Sequence, residues 1–128
     1  MEPWELEFNW LRVRHFVKDS LGQVDLPDLQ AMLMLIGVQE LGRWRKDFTK
    51  EEKQDLMHVG TCEVLCPDGY YEFTHRDDDG WPHYRAVQPI EVTGHEAQER
   101  FIQAKIIHYF DQWQSSDASS SAHSPHSA

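Results

Sequence analysis

Residues 25–42 read DLPDLQAMLMLIGVQELG, and this stretch decides the fold. Leu29, Ala31, Met32, Leu33, Met34, Leu35, Ile36 and Val38 leave only Gln30 and Gly37 between them. Most of these are unbranched helix formers bracketed by start and stop signals, so the run reads as a helix. The reading places its N-cap at Asp25, a hydrophobic staple at Val24 and Leu29, Pro27 in the first turn and the stop at Gly42. A helix apolar on every side has no face for water, so the rest of the chain must wrap it. Gly37 costs about 1 kcal/mol relative to alanine in mid-helix. Close approach of a neighbouring helix would offset that cost.

Working outward toward the N-terminus, residues 4–21 read as helix one. At 100° per residue Leu6, Trp10, Val13, Val17 and Leu21 form one stripe that suits a core. Trp4, Phe8, Leu11 and His15 form a second stripe on the opposite side. Charged rows separate them, with Glu7, Arg14 and Lys18 on one edge and Glu5, Arg12 and Asp19 on the other. Two apolar stripes require two partner surfaces. Either the helix is sandwiched inside the monomer, or the second stripe faces another chain. Gly22 ends the helix in a left-handed position.

Toward the C-terminus, Arg43, Arg45 and Lys46 surround Trp44 in a loop. That patch suits either a phosphate with a stacked base or a solvated loop with a packed tryptophan. Thr49 and Glu52 form a capping box that opens helix three at Lys50. Helix three runs to about Leu65 and is halted by Pro67. A β-hairpin follows at about 70–88, with Asp79-Gly80 as a type I′ turn. That register sets Phe73 opposite Ala86 and His75 opposite Tyr84, with Tyr71, Phe73 and Tyr84 on the buried face. Thr93 and Glu96 make a second capping box for helix four, which ends near Trp113. Its main stripe is Ile102, Ile106, Tyr109 and Trp113, widened by Phe110, with Ala97, Phe101, Ala104 and His108 opposite.

The chain is therefore read as one mainly α domain, 1–113, with four helices and a hairpin between helices three and four. Helices one, three and four are set around the central helix. A Ser-rich tail, 114–128, has too little apolar surface to repay its ordering entropy and reads as disordered.

Composition excludes several classes. The net charge of −10, from 22 acidic and 12 basic residues, opposes a general affinity for nucleic-acid phosphates or anionic membranes. No apolar run approaches the roughly eighteen residues a membrane helix needs. The opening MEPWELEFNW alternates apolar with acidic or polar residues, unlike a secretory signal. Two cysteines give no disulfide framework, so a cytoplasmic location is expected.

The best chemical constellation is His58, Cys62 and Cys66 on helix three. Spacings of four put neighbours one turn apart, but three ligands on one straight helix cannot surround an ion. A fourth would have to come from His75 or His83. Buried cysteine as a small hydrophobe is the competing reading, and no metal is expected. Asp77, Asp78 and Asp79 before Gly80 lack the alternating ligand spacing of a calcium loop and read as a solvated turn. The element order helix, helix, helix, hairpin is similar to that of a winged-helix fold, an analogy of order alone. Its recognition helix would carry Glu51, Glu52, Asp55 and Glu63, which phosphate repels.

No phosphate-cradling loop, nucleophile elbow or paired-histidine motif is present, so no catalytic residue or cofactor is indicated. The reading that remains is a non-catalytic protein-interaction module, self-associating or docking to a larger protein. Its expected interface residues are Trp4, Phe8, Leu11 and His15, with Trp44 and Trp81 as outliers. A metal- or thiol-dependent site on helix three is the alternative, and a nucleic-acid binder a lesser one.

Overall fold

Helix and strand signals in the sequence resolve into six elements in a computed structural model. They are α1 (Pro3–Ser20), α2 (Leu29–Leu41), α3 (Lys50–Leu65), β1 (Tyr71–Arg76), β2 (Pro82–Ala86) and α4 (His95–Ser127). The structure describes residues 2–127, with side chains described through residue 114. Four helices and a hairpin between the third and fourth match the expected class. The tail expected to be disordered lies, from residue 115 onward, outside the described side chains. The assigned α4 extends to Ser127, past the end expected near Trp113.

The central helix starts later than its sequence suggested. Asp28, not Asp25, is the N-cap, and its side chain accepts a hydrogen bond from the Ala31 N–H at 2.9 Å. Pro27 disfavours helical geometry at Leu26, which moves the start beyond the proline. Val24, assigned to the staple, is consequently exposed. Met32 and Ile36 are fully buried, with Leu33, Gly37 and Leu41 buried beside them. Gly42 closes the helix at φ 80°.

The closest backbone approaches are α2 with α3 and α1 with α4, and side chains of α1, α3 and α4 all share one core with α2. Gly37 and Gly60 explain the first pairing. A Cβ on Gly37 would lie 2.9 Å from the Leu56 Cα, and one on Gly60 would lie 2.9 Å from the Leu33 carbonyl carbon, each still closer to the carbonyl oxygen. Val13 and Val17 of α1 meet Met32, Leu33, Ile36, Val64, Leu65, Ile106, Ile107 and Phe110 in one core cluster. Leu21 was expected in that stripe but is exposed, because the chain turns away at Gly22 (φ 63°). The buried stripe of α4 runs through Ile106, Ile107 and Phe110, while Trp113 is exposed.

The Thr49 capping box forms as expected. Glu52 N–H donates to the Thr49 hydroxyl at 3.1 Å, and Thr49 N–H to the Glu52 carboxylate at 2.9 Å. Among the described residues no hydrogen bond joins Thr93 and Glu96, so the second expected box is not formed. α4 starts at His95, and Gly94, at φ 91°, precedes it in a conformation that favours glycine.

The hairpin register also differs. Phe73 pairs with Tyr84 and Tyr71 with Ala86, with a bulge between Phe73 and His75 and His75 opposite His83. The turn spans three residues rather than two. Asp77 N–H donates to the Trp81 carbonyl at 3.0 Å, and only Gly80 (φ 88°) is left-handed. A type I′ turn needs positive φ at two central residues, and Asp79 does not supply the other. Expected and observed pairings differ by two residues at Phe73, so Tyr71, Phe73 and Tyr84 keep their shared face, but by one beyond the bulge, where His75 comes to the same face as His83. Phe73 nonetheless stays exposed, packed edge-on against Tyr84 at 6.0 Å.

Candidate functional site

On α1, burial of Val13 and Val17 turns the opposite face outward. Trp4, Phe8 and Leu11 remain 68%, 63% and 45% exposed, and His15 is exposed beside them. The helix is held firmly in that orientation. Arg12 donates to Asp111 of α4 at 3.0 Å and to Asn9 at 3.0 Å, and Arg14 donates to the Pro27 carbonyl at 2.7 Å. Three large apolar side chains therefore stand in water on a helix tied to α4 and to the Pro27 loop.

A second apolar surface is a groove of about 450 Å³ bounded by α1, α2, Trp44 and α4. Leu35 and Val38, both partly exposed, belong to α2, whose apolar surface is thus not wholly wrapped. Phe16, Leu21, Trp44, Tyr109 and Trp113 also line it, and no charged residue does. Phe16 meets Trp113 edge-on at 5.8 Å. Trp44, expected as an outlying contact, is 61% exposed at this groove. Trp81 is partly buried against Leu41, Phe48 and Leu56 and belongs to packing. Trp113 and Leu21 escaped the sequence reading because both continue core stripes; the Gly22 stop was the available signal for Leu21.

Two carboxylates are tied by tyrosines, one of them the groove-lining Tyr109. Tyr84 donates to Glu63 at 2.6 Å and Tyr109 to Glu40 at 2.7 Å. Burial pushes the Glu63 carboxyl above its ordinary range, with the Tyr84 bond pulling it back. Burial, then the bonds to Glu63 and Glu40, push both phenols well up. These pairs join α3 to β2 and α2 to α4. They were invisible in sequence because each spans at least 21 residues.

On α3, His58 Nε2 lies 3.5 Å from Cys62 Sγ. Burial pushes the Cys62 thiol up to about 12 and the Cys66 thiol to about 11. Both are protonated at neutral pH, the opposite of an activated nucleophile. His75 and His83 do not join them. Those rings stack on each other at 4.9 Å, and His83 contacts Asp77 at 2.9 Å. Among the described residues no three His, Cys, Asp or Glu side chains are grouped to hold a metal ion.

The basic loop is engaged internally. Arg45 bonds Asp47 at 3.2 Å and Glu52 at 3.1 Å and lies over Phe48, while Arg43 donates to the Asp79 carbonyl. Among the described residues no helix is long and apolar enough to cross a membrane. The chain matches no protein-family model, no curated protein and no solved structure.

Proposed function

We propose that this domain is a non-catalytic protein-interaction module of the cytoplasm, which self-associates or docks to a larger protein through the outer face of α1. One observation carries the reading: Trp4, Phe8 and Leu11 stand exposed together on a helix whose opposite face is buried. Aromatic residues are enriched at interface centres, where large rigid side chains bury much area at small entropic cost. Isolated exposed apolar residues need no explanation, but a contiguous set marks a contact surface. Trp44, at the groove, offers an accessory contact.

Site-specific photo-crosslinking tests the reading. A photoreactive phenylalanine analogue at position 8 of the full chain, irradiated in cells that make the protein, gives a discrete protein adduct. The same group at Gln54, exposed on α3, does not. Absence of any adduct at position 8 above the position-54 level overturns the proposal.

A further inference from the structure

Trp4, Phe8, Leu11 and His15 are spaced four, three and four apart, the alternation that keeps one seam of a helix turned toward a second helix. In that register Glu5 and Arg12 flank the seam on one edge, and Glu7 and Arg14 flank it on the other. Between Trp4 and His15 each edge carries one acid and one base two turns apart, with the acid nearer the N-terminus; Lys18 and Asp19 lie beyond this span. Such an edge is complementary to itself reversed. A two-fold contact requires this, because every contact recurs with the roles exchanged.

Resting on the reading of this face as an interface, we infer that its partner is a second copy of the chain, with α1 packed antiparallel on α1. Reversal about an axis between Phe8 and Leu11 sets Phe8 against Leu11 of the second copy and Trp4 against its His15. Glu5 then meets Arg12 of the second copy, and Glu7 meets its Arg14. Each pair occurs twice, with no like-charge pair among these flanking positions. A parallel arrangement leaves Glu5 unmatched and sets Lys18 against Lys18 at the next seam position. Within the chain Arg12 donates to Asp111 and Asn9, and Arg14 to the Pro27 carbonyl. Each guanidinium has further N–H groups to donate.

Sedimentation equilibrium on the purified full chain reads the result. The mass rises with concentration from 15.1 kDa toward twice that value. Glu5→Arg/Glu7→Arg and Arg12→Glu/Arg14→Glu each weaken self-association by at least about tenfold, since like charges now face each other. An equal mixture of the two restores the doubled mass. Because Arg12 also binds Asp111, circular dichroism checks that the acidic variant folds; if it does not, Glu7→Arg alone decides by the same loss. A wild-type chain that stays at 15.1 kDa overturns the inference, as do folded variants whose mixture stays monomeric. If the chain is monomeric yet the position-8 adduct contains a different protein, the second copy is wrong and the interaction reading stands. If there is neither dimer nor adduct, both fail.

Discussion

Gly37 and Gly60 make the same contact in opposite directions, Gly37 against the backbone of Leu56 and Gly60 against the backbone of Leu33. Two helices brought together at their main chains have no slack, because neither neighbour can rotate aside. The pairing of α2 and α3 therefore fixes the scaffold on which α1 and α4 are laid.

Gly37→Ala and Gly60→Ala should each destabilise the domain by about 2 kcal/mol or more, overpacking outweighing the roughly 1 kcal/mol gained in helix propensity. Urea unfolding monitored by circular dichroism measures this. A neutral or stabilising Gly37→Ala would show that the helices do not approach so closely.

Glu63 gives a pH test. Its carboxyl is raised in the fold by burial, so its contribution is complete below the ordinary carboxylate range and is lost as pH rises through the folded value. Glu63→Gln keeps an acceptor for Tyr84 but cannot ionise. Relative to wild type it should become more stable as pH rises from acid to neutral. A relative loss over that window would mean that the carboxyl is depressed instead.

Tyr84 and Tyr109 both have raised phenols. Their contribution is complete below the ordinary phenol range and is lost at higher pH, as the unfolded chain ionises first. Tyrosinate absorbance should include a step coincident with loss of helical signal, reduced by two phenols in Tyr84→Phe/Tyr109→Phe. Tyr84→Phe alone should cost about 1–2 kcal/mol at neutral pH, since half-buried Glu63 loses a donor.

The two threonine boxes separate expectation from observation. Thr49→Ala should cost about 1 kcal/mol. Thr93→Ala should change stability by less than about 0.5 kcal/mol, because α4 starts after a left-handed Gly94. Equal costs would show that Thr93 caps the helix after all.

Legibility followed the range of the interaction. Gly37 advertised its close contact because a mid-helix glycine needs a compensating reason, and the Thr49 box was readable because its partners are three residues apart. The exposed face of α1 was legible for the same reason: helical geometry alone puts Trp4, Phe8 and Leu11 opposite Val13 and Val17. The Asp28 cap was misplaced by allowing Pro27 inside the helix. The hairpin register depended on whether the turn held two or three residues, and the bulge after Phe73 left no local trace. The Glu63–Tyr84 and Glu40–Tyr109 pairs and the groove beside Trp113 arise only when distant segments meet.

Whether the outer face of α1 serves the fold or something outside it is decided by urea unfolding of the triple variant Trp4→Ser/Phe8→Ser/Leu11→Ser, at concentrations low enough to keep the chain monomeric. A face the monomer does not need should leave stability within about 0.5 kcal/mol per site of wild type, while Val13→Ala, in the core, loses about 2 kcal/mol or more. A triple variant that loses several kcal/mol in the monomer would place these aromatics in the chain's own core and contradict the interface.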